Sequence, residues 1–180
     1  MSPDVVIQHA LAAAFAAMFT VGALQKLSDR EAFAAAVDNY EIVPGALIGV
    51  FAWLLPLTEL TAAIALLLPS TRPLGAALAL VLLFMVTLAI AINLVRGRAD
   101  VGCGCGGLED EQLLSWPLVA RNLILCVATL PLLPEAADRG LHAFDYLTIA
   151  GGSLTLFGLY ATASQLIANR PRLARIRPAR

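Results

Sequence analysis

The stretch "PLGAALALVLLFMVTLAIAINLV", residues 73–95, runs from end to end without a charged side chain. At about 1.5 Å per helical residue, a hydrocarbon core about 30 Å thick takes roughly 20 residues to cross. Lipid offers no partners to backbone N–H and C=O groups, so a run this continuous must close its hydrogen bonds within itself, as a helix. Pro73 opens it, and proline suits the first turn of a helix, where its missing N–H costs nothing.

Working outward, four more apolar stretches of spanning length occur at 5–25, 46–68, 116–134 and 145–168. The chain is 59% hydrophobic and only 14% charged, with a mean hydropathy of +0.81. Soluble domains carry about 25% charged residues, so the deficit points to a bilayer. The expected fold is all-α: a polytopic transmembrane helical bundle of four to five spans. Residues 1–168 form one membrane domain in this reading, followed by a basic tail at 169–180, "NRPRLARIRPAR", a solvated tail or a contact for anionic lipid. The protein is expected in the cell membrane as a multi-pass chain, with the lipid bilayer as its first partner. No basic patch interleaved with aromatics appears, which excludes a nucleic-acid reading.

The first ten residues, "MSPDVVIQHA", lack Lys and Arg, so the first stretch reads as a retained span and not a cleaved signal. Between the first two spans, Ser28 with Glu31 three residues later matches a capping box. It predicts a short interfacial helix ending before Pro44. Trp116 at the edge of the fourth stretch fits an aromatic belt. Five spans put the loop holding Lys26 and Arg30, the loop holding Arg96 and Arg98, and the arginine-rich tail on one side. The other side keeps Arg72 and Arg139, so positive-inside counting assigns the first set to the cytoplasm.

The third loop carries "VGCGCGGLED", residues 101–110, the one glycine-dense polar interruption. A disulfide between Cys103 and Cys105 closes a tight ring across one residue, and strain makes such a bond more reducible. Strained, exposed disulfides are the labile or catalytic kind. The alternatives are inert thiols or a two-thiolate site for a soft ion such as Cu(I). No tetrahedral zinc site is assigned, because no histidine lies near.

Other polar residues fall toward the same membrane face. Arg121 and Asn122 lie a turn and a half into the fourth span, Asn93 near the end of the third and Lys26 at the end of the first. Arg121 either snorkels to the interface or lowers a nearby thiol pKa. Glu59 sits mid-span, where an ionised carboxylate is expensive, so it is protonated, paired with Arg121 or Lys26, or lines a polar pocket. Cys126 is expected at similar depth, as packing or as a second-stage thiol. His9 and His142 lack metal-ligand spacing and read as structural or interfacial.

The elements "VGALQKL", "LPLTEL", "INLVRGRADVGCGCGG" and "WPLVARNLIL", in this order between about residues 20 and 130, resemble the MauE family of methylamine-utilisation membrane proteins, within the DoxX-like group. The family pattern has an acid before the first cysteine and an aromatic after the second. Gly102 and Gly106 stand there instead. The resemblance implies a helical-bundle membrane protein working in thiol–disulfide chemistry beside a thioredoxin-like partner. It also implies support of disulfide formation in methylamine dehydrogenase and a redox face outside the cytoplasm, opposite to the charge count.

Together these readings predict a membrane thiol–disulfide oxidoreductase. Cys103 and Cys105 form the redox-active disulfide and exchange with a thioredoxin-like protein or disulfide-containing client. A quinone is the expected lipid-soluble electron partner. Arg121 tunes the thiols, and Glu59, Asn93, Asn122 and Cys126 are the candidate cofactor contacts. A soft-metal binder or a non-catalytic scaffold remains as the alternative.

Overall fold

The computed structural model describes residues 3–104, 112–135 and 139–176, with side chains through 169. Its described residues form six α-helices. They are α1 (Val5–Ser28), α2 (Arg30–Asn39), α3 (Ile48–Leu67), α4 (Arg72–Val95), α5 (Trp116–Thr129) and α6 (Ala143–Ile176). Four apolar segments are long enough to cross a bilayer: Val5–Ser28, Gly45–Leu67, Arg72–Val95 and Ala143–Asn169. The fourth predicted span becomes a shorter apolar helix, Trp116–Leu132, whose last turn tightens to 3-10 geometry at Leu130–Leu132. The expected all-α bundle of four to five spans is therefore present, and the molecule is a multi-pass membrane protein by its helices.

Local chemistry sets the helix ends. Asp4 caps α1, its carboxylate accepting from the Val6 amide at 2.8 Å. The boundary between α1 and α2 falls one residue later than the capping-box reading placed it: Asp29, not Ser28, is the N-cap, accepting from the Ala32 amide at 3.0 Å. Ser28 instead bonds back to the Gln25 carbonyl and ends α1. Aspartate is as good a cap as serine, and here its φ of −131° and ψ of 75° are non-helical, as a cap's must be. At the other terminus, α6 continues through Ile176, so the backbone of the predicted tail begins as helix.

Packing is organised around α1, which lies against α3 on one side and α6 on the other. Helices α3, α4 and α5 continue the bundle in sequence order. One core cluster joins Phe15, Phe19, Leu66, Leu82, Leu83 and Leu132, with alanines filling the close contacts. Membrane helices gain little from burying apolar surface away from lipid, so close backbone approach through small residues has to hold them. Gly75 shows this directly. A Cβ there would lie 2.6 Å from the Leu66 nitrogen and 2.8 Å from the Ala65 carbonyl carbon. The outer surface stays apolar: Ile64, Val81, Phe84, Ile124 and Leu154 are mostly exposed, as lipid-facing residues should be.

Candidate functional site

Charged and polar side chains collect at the end of the bundle where α2 and the cysteine loop lie. Lys26 at the end of α1 points inward, its Nζ donating to both carboxylate oxygens of Glu59 at 2.9 Å. Both side chains are nearly fully buried. Of the partners considered from the sequence, Glu59 thus takes Lys26 and not Arg121. Neutralising the carboxylate in place is how a bilayer-depth acid stays tolerable. Pro56, three residues earlier, removes an N–H from the helix ladder of α3.

Arg121 and Asn122 come in from α5. The guanidinium donates to Asn122 Oδ1 through Nε at 3.2 Å and Nη2 at 3.0 Å, and to Ser164 Oγ on α6 through Nη1 at 3.0 Å. It also lies 5.4 Å from the Tyr160 ring centroid, a cation–π distance. Arg121 is therefore held inside by α6 and does not snorkel away.

The described stems of the cysteine loop are held in place. They pair as a short antiparallel bridge, with the Cys103 amide donating to the Gln112 carbonyl at 2.7 Å and the Leu114 amide to Val101 at 3.0 Å. Tyr40, at the end of α2, donates its hydroxyl to the Cys103 carbonyl at 2.7 Å. Asn93 in turn donates to the Tyr40 carbonyl at 3.3 Å, linking α4 to the same hinge. Burial pushes the Tyr40 hydroxyl well above its ordinary range, so it stays a donor at any physiological pH. Gly104 has φ +60°, and a Cβ there would come 2.8 Å from the Ala36 Cβ. Glycine is required for both reasons.

Cys103 is disulfide-bonded and 6% exposed, against the sequence expectation of an exposed loop. The α2 helix covers it: Phe33, Ala36 and Tyr40 lie over the loop that the sequence presents as polar and open. Cys105 lies outside the described residues.

These groups line one cavity of about 460 Å³. Lys26, Glu59, Cys103, Arg121 and Asn122 all contribute, beside apolar walls from every helix of the bundle. Among the other sequence candidates, Asn93 is not a lining residue and acts on the site through Tyr40. Cys126 is a free, half-buried thiol packed against the first core cluster, outside the cavity lining. Tyr40, Tyr160 and Ser164 were not singled out from sequence. A tyrosine at the end of an interfacial helix and one inside an apolar span were the available signals.

Two cations that the sequence reading counted as loop charges are internal. Lys26 pairs with Glu59, and Arg72 is 3% exposed, donating to the Leu66 carbonyl and to Gln8. The positive-inside comparison therefore rests on the remaining arginines.

Apolar helices of spanning length around a largely apolar cavity with a few polar groups define a polytopic membrane protein. The profile of a family described as methylamine utilisation protein MauE matches residues 5–134. A methylamine utilization protein MauE from Paracoccus versutus is 37% identical over 89% of this chain and 87% of its own length. One from Paracoccus denitrificans is 34% identical over 84% and 82%, and one from Methylorubrum extorquens is 37% identical over 78% and 77%. This chain belongs to the MauE family. No solved structure matches it.

Proposed function

We propose that this chain is an integral-membrane thiol–disulfide oxidoreductase of the cell membrane. Cys103 and Cys105 cycle between dithiol and disulfide and exchange with a thioredoxin-like partner or a disulfide-containing client through a mixed disulfide. Closing the disulfide releases two electrons and two protons, and a membrane quinone that accepts both becomes a quinol. The relatives' names supply methylamine utilisation as the setting, and a protein of that process is the first client to try.

One observation carries the reading: Cys103 shares a cavity with a half-buried guanidinium and a buried ion pair. A nearby cation favours thiolate over thiol, and thiolate is the nucleophile in exchange. Arg121 is the group that supplies it. Burial under α2 keeps Cys103 from adventitious thiols, so exchange requires α2 to move or the partner to engage the loop.

The test is equilibration of the purified protein in nanodiscs with graded glutathione buffers, followed by a maleimide mass shift. A reversible two-thiol transition that Cys103→Ser removes is the expected result. Cys105→Ser should then trap a mixed disulfide through Cys103. If wild type shows no transition, or the double Cys→Ser variant oxidises a client equally well, the proposal fails.

A further inference from the structure

The cavity has a polar floor and a lipid-facing rim. On the floor sit Lys26, Glu59, Arg121 and Asn122. At the rim, Leu47 and Phe51 from the α3 side face Met85 and Leu88 from α4. Leu47, Met85 and Leu88 are 45%, 38% and 50% exposed, and they sit on helices whose outer faces meet acyl chains. A molecule reaching the floor by this rim travels through hydrocarbon, so it must be lipid-soluble.

The floor restricts it further. Glu59 has both oxygens taken by Lys26, which leaves the polar side of the cavity mostly donating. Arg121 carries five N–H groups and spends three on Asn122 and Ser164. The Asn122 amide nitrogen donates to no described group, while its oxygen accepts from Arg121. Spare donors in an otherwise apolar space call for an uncharged ligand with carbonyl acceptors. A volume of about 460 Å³ falls in the range of roughly 300–1,000 Å³ typical of small-molecule sites.

From this we infer that the cavity binds the head of a quinone, which enters sideways between α3 and α4 and accepts hydrogen bonds from Arg121 and Asn122. The inference rests on the oxidoreductase reading for its purpose and adds the binding site and the route. The ring lies between the Arg121–Asn122 edge and the Lys26–Glu59 pair, and its tail leaves past Leu47 and Leu88 into the bilayer. In the reaction the two thiols of Cys103 and Cys105 lose two protons and two electrons as their S–S bond forms. The quinone gains the same number and leaves as quinol. Lys26 and Glu59 form the buried acid–base pair of the cavity and are the groups placed to pass a proton.

The experiment is equilibrium binding of decylubiquinone to the full-length protein in phosphatidylcholine nanodiscs, with empty discs subtracted and decanol as the acyl-chain control. One saturable site is expected, not displaced by decanol. Arg121→Gln should weaken it about tenfold or more, the scale of a lost hydrogen bond to a charged group. Leu88→Trp should weaken it comparably by narrowing the rim. Ile124→Trp, on the lipid-facing side of α5 and outside the cavity lining, should leave it unchanged. Circular dichroism shows that each variant is folded. No saturable binding, equal displacement by decanol, or indifference to both Arg121→Gln and Leu88→Trp overturns the site. The double Cys→Ser variant separates the two ideas. If it binds quinone while wild type shows no thiol transition, the site stands and the redox reading falls. If thiols cycle without quinone binding, the reverse holds.

Discussion

Each end of this bundle buries a cation and an amide side chain, yet the two ends use them differently. At the α2 end, Lys26, Glu59, Arg121 and Asn122 border open space. At the other end, Gln8 donates to the Pro131 and Pro134 carbonyls at 2.8 Å each, and Arg72 donates to the Leu66 carbonyl and to the Gln8 oxygen. There the side chains satisfy the last carbonyls of α3 and the α5 region, groups that helix ends leave without partners. None of these residues lines the cavity. Identical chemistry serves as a helix cap where packing closes around it and as a candidate site where a void remains. What separates a working polar residue from a structural one is the space beside it.

That contrast can be broken from either side. The largest effect is expected from Gly75→Leu, which drives a side chain into the α3 backbone at the packed end. It should destabilise the bundle by about 3 kcal/mol or more, read as a large fall in Tm in detergent. Next comes a paired comparison. Gln8→Leu orphans two carbonyls and a partner of Arg72, and should cost about 2–4 kcal/mol while leaving thiol cycling intact in the folded fraction. Glu59→Gln keeps an acceptor for Lys26 but removes its counter-charge, so it should cost about 3–5 kcal/mol and also slow quinone-dependent oxidation of Cys103 severalfold. Thermal melts and oxidation rates on the same samples decide this. If Glu59→Gln spares the rate in its folded fraction, or Gln8→Leu slows it equally, the two ends are alike and the comparison fails.

Smaller effects sharpen the description of the cysteine loop. Gly104→Ala asks a residue with a Cβ to hold φ +60° against Ala36, and should cost about 1–2 kcal/mol. The loop should lift from α2, so maleimide labelling of reduced Cys103 should speed up. Unchanged labelling would mean that α2 does not control access. Tyr40→Phe removes one hydrogen bond to the Cys103 carbonyl, worth about 1 kcal/mol. Its signature is alkaline. The raised Tyr40 pKa means its contribution is complete below the ordinary tyrosine value of 10.0 and is lost as pH rises beyond it, because only the unfolded chain ionises there. Wild type should therefore lose stability above that pH more steeply than Tyr40→Phe, and parallel curves would contradict the burial of the hydroxyl.

Much of the architecture was legible in the sequence because the bilayer imposes it. An uncharged run such as 73–95 has one structural solution in hydrocarbon, and all five apolar stretches became helices near their expected bounds. The errors at boundaries were local. Ser28 and Asp29 are both good caps, and only the backbone geometry chooses between them. Site residues were legible as types. Glu59, Arg121 and Asn122 stood out because polar groups are costly at such positions, and all three line the cavity with Cys103. Gln8 and Arg72 met the same criterion without being recognised, since nothing in their spacing separates a cap from a site. Tyr40 and Ser164 were invisible for another reason: their roles are contacts with residues 63 and 43 positions away along the chain.

By itself, then, the sequence determined a helical membrane bundle, its spans, and a short inventory of side chains too polar for lipid to leave alone. Those follow from transfer free energies, which depend on residue type and run length. Tertiary structure alone decided that Glu59 meets Lys26, that α2 folds over Cys103, and that a cavity borders Arg121 while Arg72 is buried against Gln8 and the Leu66 carbonyl. Pairing and empty volume depend on how six helices cross, and crossing is set by close contacts such as Gly75 against the α3 backbone, which no single stretch of sequence contains.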